Sequence, residues 1–265
     1  MSGTDEALPA TMAWRSLRAM CRRSLARQAE LAVEGIEHVP LTGPVVIAAR
    51  HYHHLLDGCA IGTAIDRHLH ILVASDWASG GLARGVLDRA TRVARWPVVL
   101  RPDAPRHRPD RFAAAGARVA YDAAAARAMR RAARETVDLL RGGHALLVFP
   151  EGYPTIDPTF TPKTRDDEVL PFQPGVIRLV ALAQADGRTR VPVVPAGLEY
   201  EGLGEDHWRM ALRFGEPMAI GGPDRAEEIA ALSARVRELS GLTREAAEAD
   251  ETGDVTADGL QAARG

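Results

Sequence analysis

The sequence predicts an α/β fold: a single layered domain with a largely parallel, mixed sheet flanked by helices. Three observations point there. Short continuous apolar runs, such as residues 45–49 and 145–149, are the mark of strands buried on both faces. Segments of helical period separate these runs, and strand–helix alternation of that kind builds parallel crossovers. With 265 residues, of which 46% are hydrophobic and 26% charged, the chain can bury such a sheet without staples.

Taken in order, residues 1–10 read as a loose tail. From 11 to 29, Trp14, Leu17, Cys21 and Leu25 share one helical face. Arg15, Arg18, Arg22, Arg23 and Arg27 surround it, with no acidic residue in the stretch. Such a helix either lies in a membrane interface, its stripe in lipid and its arginines on anionic headgroups, or packs on its own domain with a solvated basic back. The run at 45–49 predicts the first buried strand, 56–66 a helix, and 69–74 a second strand. Residues 81–93 read as helix and 97–100 as a short strand. The Ala- and Arg-rich stretch 111–141 is mostly helical, with a break near Gly116. Residues 145–149 give the clearest strand, followed by helix at 174–185 and strands at 191–196 and 210–214. An amphipathic helix at 224–239 closes the pattern. The expected organisation is a tail with a basic helix over 1–32, one domain over 33–240, and an acidic, disordered tail over 241–265.

Composition excludes several classes. A net charge of -2 argues against a nucleic-acid binder held by bulk basicity. The two cysteines, Cys21 and Cys59, make no disulfide framework. No apolar run reaches the length of a membrane span, and arginines interrupt the segment where a signal peptide would lie. Among 33 basic residues Lys163 is the single lysine.

Polar chemistry concentrates at strand ends. Arg50, His51, Tyr52, His53, His54 and Asp57 follow the first buried strand directly, where α/β sheets place their sites. An imidazole there can act as a general base, oriented by a nearby carboxylate. Helical spacing puts His53 and His54 on the face of Asp57, whereas position just past the strand favours His51. A second group, Phe149-Pro150-Glu151-Gly152, follows the strand at 145–149. Leu170–Gly175 leads into a helix, and Val191–Ala196 is a strand bracketed by prolines.

These groups, in this order, resemble the glycerolipid acyltransferases, the lysophosphatidic acid and glycerol-phosphate acyltransferases among them. The family's first block, Asn-His, four residues and Asp, is matched by Arg50-His51 and, after five residues, Asp57. Its second is echoed by Trp96-Pro97-Val98-Val99-Leu100-Arg101. Phe149-Pro150-Glu151-Gly152 and Pro171-Phe172-Gln173-Pro174-Gly175 match the third, and Val191–Pro195 the fourth. The resemblance runs from about Val33 to about Pro217. Where the family commonly has Thr-Arg after Glu-Gly, with the arginine on substrate phosphate, this chain has Tyr153-Pro154, and the stretch to Pro171 is longer.

The resemblance implies an O-acyltransferase moving a fatty acyl group from acyl-CoA or acyl-carrier protein to a lysophospholipid or glycerol phosphate, in phospholipid biosynthesis or remodelling. His51 would be the base, with His53 and His54 as alternatives, and Asp57 would orient it. Glu151 and Gly152 would shape the acceptor pocket. Arg101, Lys163 and Arg165 are the candidate phosphate-binding cations. No metal or bound organic cofactor is expected, and the protein would work peripherally on the cytoplasmic face of a membrane. Two other readings are a non-phosphorylated alcohol or glycolipid as acceptor, and a metal-dependent hydrolase using the His/Asp cluster.

Overall fold

The structure, a computed structural model, describes residues 8–76, 81–204 and 207–242. Helix α1 (Leu8–Gln28) runs into strand β1 (Ala29–Glu34). Strand β2 (Val45–Ala49) leads to α2 (Leu56–Ala64), and β3 (Leu69–Ile71) and β4 (Val73–Ala74) follow. Next come α3 (Gly81–Ala94), β5 (Val98–Val99), the single turn α4 (Ala104–His107), α5 (Ala117–Arg141) and β6 (Ala145–Val148). The chain continues through α6 (Gly175–Gln184), β7 (Val193–Gly204), β8 (His207–Phe214) and α7 (Arg225–Leu239).

The main sheet has the order β1-β8-β7-β2-β6-β3, and β4 and β5 form a parallel pair beside it. Strands β3, β6, β2 and β7 are mutually parallel, while β8 turns back antiparallel on β7. Strand β1 pairs parallel with β8. This is the expected α/β architecture.

Alternation along the strands divides the core. Val45, Ile47 and Ala49 of β2, with Ala145 and Leu147 of β6, face α1 and α2. Val46 and Ala48, with Leu146 and Val148, face α5, α6 and α7. Both faces of the central strands are therefore covered, which is why those strands are apolar throughout. Glycine is required at 197 by the close approach of α7: a Cβ there would lie 2.2 Å from the backbone of Leu239.

Several boundaries differ from expectation. The strand expected over 69–74 is broken at Leu72, whose N–H still bonds Leu147 O while Val73 N–H turns to Pro97 O. Strands β7 and β8 extend beyond their apolar runs into an exposed hairpin. Helix α5 starts at Ala117 after Gly116, which caps it at φ 77°, so the expected break is real. Strand β1 is missing from the sequence reading.

The apolar stripe of α1 belongs to the core. Trp14 and Leu25 are buried there, with Leu17 and Cys21 packed alongside. Of the two readings of this helix, the stripe in lipid is corrected: those side chains are occupied by α2 and the sheet. The outer face is basic, with Arg15, Arg22, Arg23 and Arg27 exposed, together with Met12 and Met20. Arg18 binds Asp66 and Thr63 O at the end of α2. No helix among the described residues is long and apolar enough to cross a membrane. The disorder expected beyond 242 falls outside the described residues.

Candidate active site

The carboxyl ends of β2 and β6 lie side by side next to the middle of β7, and the polar groups singled out in the sequence follow them. His51 Nδ1 lies 2.8 Å from Asp57 Oδ2. That same oxygen accepts from Tyr52 N at 2.7 Å and His53 N at 3.0 Å. Asp57 has no solvent exposure, so these donors replace its hydration. The His51 ring stacks on Phe149, with centroids 4.0 Å apart.

The helical spacing assumed for His53 and His54 does not hold here, because residues 51–55 are not helical; α2 begins at Leu56. His53 instead turns its Nδ1 to accept the N–H groups of Leu55 and Leu56, closing the entry to the helix. His54 stacks on His53 and lines the adjoining cavity. The extra residue between His51 and Asp57 is absorbed in this turn, which is held from outside by the long segment after Gly152. Thr155 N donates to His51 O, Ile156 N to Tyr52 O, and His54 N to Ile156 O. We refer to residues 153–170 as the strap.

Glu151 does not line the pocket. Its carboxylate is buried, accepting from His51 N at 2.8 Å and Leu170 N at 3.0 Å. Lys163 reaches it from the strap, Nζ to Oε2 at 2.6 Å, and also donates to His51 O at 2.8 Å. Lys163 is thus corrected from a phosphate ligand to an internal clamp: its ammonium is wholly buried and ion-paired. Burial pulls its pKa down, against the charge of Glu151, which favours the ammonium.

The other two candidate cations are also engaged. Arg101 lines the cavity, yet its guanidinium holds Asp76 through Nε at 3.0 Å and Nη2 at 2.8 Å, and donates to Gly152 O. It lies 3.9 Å over the ring of Tyr153, whose hydroxyl donates to Asp103. Arg165 is exposed and paired with Asp167. Arg50 is buried, bound to Leu198 O and Asp166 O.

A mostly apolar cavity of about 420 Å³ opens beside His51. Gly152, Arg101, His54 and Asp157 line it with His51, and it continues between α1, α2 and the β3–β4 segment to Trp14, Cys59, Gly62 and Trp96. No group of three or more His, Cys, Asp or Glu among the described residues is arranged to hold a metal ion.

Sequence reading missed Tyr200, whose hydroxyl donates to Asp57 Oδ1 at 2.5 Å across 143 residues of chain. It also missed Asp76 opposite Arg101, and it named Phe149 only as part of a motif, without its place beneath the histidine. A contact between distant segments leaves no mark in local spacing.

An imidazole–carboxylate pair at the strand ends of an α/β sheet, opening on an apolar cavity, is suited to general-base chemistry on an apolar substrate. The family model described as Acyltransferase matches residues 30–199, and the chain belongs to that family. It is the group its four motifs resemble. The crystal structure of the 1-acyl-sn-glycerophosphate (LPA) acyltransferase PlsC from Thermotoga maritima has the same fold. It matches with a TM-score of 0.57 at 17% identity, over 90% of this chain and 81% of that one. No curated protein matches the sequence.

Proposed function

We propose that this protein is an O-acyltransferase moving a fatty acyl group from acyl-CoA or acyl-carrier protein to a hydroxyl of a lipid acceptor. The acceptors suggested by the resemblance are a lysophospholipid or glycerol phosphate. One observation carries the reading: His51 presents Nδ1 to a buried carboxylate and sits at the mouth of an apolar cavity. With Nδ1–H given to Asp57, Nε2 is left to take the proton of the acceptor hydroxyl. The acceptor oxygen attacks the thioester carbonyl, the carbon–sulfur bond breaks, and the thiol leaves with a proton. The acyl chain occupies the cavity toward Trp14. The reading needs no metal or bound organic cofactor.

The state of the cations favours a second reading of the acceptor. Phosphate at Arg101 would have to share it with Asp76, and Lys163 is shut away by Glu151. A non-phosphorylated alcohol or glycolipid fits such a mouth better.

Mass spectrometry of products from mixed acyl-CoAs, with lysophosphatidate, other lysophospholipids and monoacylglycerol as acceptors, tests both. Acyl transfer abolished by His51→Ala supports the enzyme reading; near-normal turnover in that variant ends it. Preference for lysophosphatidate over monoacylglycerol excludes the second acceptor reading.

A further inference from the structure

We propose that Tyr200 is a positioning residue for the His51–Asp57 pair, setting through Asp57 how firmly the imidazole holds a proton. The proposal rests on the reading of His51 as general base. Asp57 is the link: Oδ2 takes His51 Nδ1 and two backbone N–H groups, and Oδ1 takes the Tyr200 hydroxyl. Because Asp57 is wholly buried, its negative charge is shared among these donors and not with bulk water.

The phenol is held rigidly for this. Its ring stacks on Tyr52, with centroids 4.4 Å apart, and meets Trp208 edge-on at 5.7 Å. It arrives on β7, a core strand, just beyond the stretch 30–199 matched by the family model. Burial and the adjacent carboxylate push its pKa well above the usual phenol value, so it stays a donor at neutral pH.

A hydrogen bond to one carboxylate oxygen weakens the hold of the other on an imidazolium. Removing it therefore stabilises protonated His51, and the acid limb of the rate profile moves to higher pH. Strengthening it moves the limb down. The other charged or titratable groups around His51 are unaltered by either change. They are Glu151 on its N–H, Lys163 on its carbonyl, His53 and His54 in its own turn, and Arg101 and Asp157 along the cavity. Around Tyr200 they are Arg50 and Tyr52.

The test compares kcat/KM against pH for the wild type, Tyr200→Phe, and protein carrying 3-fluorotyrosine at position 200, a more acidic donor of nearly the same shape. Nitrogen-15 NMR of labelled histidine follows the His51 titration in the same proteins. Loss of the hydroxyl should raise the acid limb by roughly 0.5–1 pH unit, with KM for both substrates unchanged. Fluorination should shift it the opposite way. A limb and an NMR titration that stay at the wild-type position in both proteins overturn the proposal. So does a change confined to KM. Should Tyr200→Phe not fold, the fluorinated protein, whose packing is kept, decides alone. His51→Ala separates the two levels: activity surviving that change removes the general-base reading, while the NMR titration still answers for Tyr200.

Discussion

Lys163 Nζ sits 2.6 Å from Glu151 Oε2, and neither side chain touches solvent. The pair joins the turn after β6 to the strap, and each member also bonds the backbone of His51. The turn and the strap that follows it are thereby fixed to a histidine 100 and 112 residues earlier in the chain.

Breaking a buried pair by removing one partner leaves the other charge stranded, at a cost of about 3–5 kcal/mol. Lys163→Met should lose that much stability in chemical denaturation. The double variant Lys163→Met, Glu151→Gln should recover part of it, since no charge is left unpaired. A Lys163→Met protein as stable as the wild type would show that the clamp is not held this way.

His70 gives the fold a defined acid sensitivity. It is fully buried on β3, with Nδ1 at 3.2 Å from Arg95 O and the rings of His68 and His144 beside it. Burial, followed by those two imidazoles, pulls its pKa from 6.5 down to about 3. Between these values the unfolded chain binds a proton that the folded chain does not, so stability rises with pH across the window. It is fully present above 6.5 and lost as the pH falls toward about 3. At about pH 5 the loss is about 2 kcal/mol. His70→Asn, which can still donate to Arg95 O, should flatten the dependence of Tm on pH between neutrality and pH ~5. An unchanged slope would assign the sensitivity to other groups.

Gly58 lines the cavity, and a Cβ added there meets nothing within 4 Å. Gly58→Leu should therefore fold, aided by the better helix propensity of leucine, while filling space that the proposed function gives to the acyl chain. Rates with long-chain donors should fall by at least roughly ten- to two-hundredfold, the scale of discrimination by a single methylene in an apolar pocket. Short-chain donors should be nearly unaffected. Equal losses for both chain lengths would place the acyl chain elsewhere.

The exposed arginines of α1 predict peripheral binding to anionic vesicles. Each of Arg15, Arg22, Arg23 and Arg27 is worth about 1 kcal/mol near such a surface. Replacing all four by Gln, with Arg18 kept for its bond to Asp66, should abolish co-sedimentation with phosphatidylglycerol vesicles. Added salt should do the same to the wild type. Deleting the helix would be uninformative, because Trp14 and Leu25 belong to the core. Undiminished binding by the fourfold variant would leave α1 as an internal helix only.

Much of this architecture is written locally. Strands β2 and β6 are buried on both faces, so their residues form unbroken apolar runs. Their ends are followed by His51 and Glu151, which is why the place of the candidate site is legible in the sequence. Strand β1 was not, because as an edge strand it is largely exposed and carries Glu30 and Glu34. The fates of Lys163 and Arg101 were hidden for a different reason. Whether a cation is free depends on the carboxylate it meets, and Glu151 and Asp76 reach them through tertiary structure. Choosing among His51, His53 and His54 needed the backbone path from 51 to 55, which the strap imposes.

The pairing of β1 with β8 also sets a clock on synthesis. Glu34 and its partner Arg213 are 179 residues apart. At about 5–20 residues per second, a ribosome needs roughly 10–35 s to make the intervening chain. Through that interval residues 29–34 have no β8 to pair with. Tyr200, too, is made 143 residues after Asp57, so the donor to Asp57 Oδ1 joins the site well after the His51 turn has been synthesised.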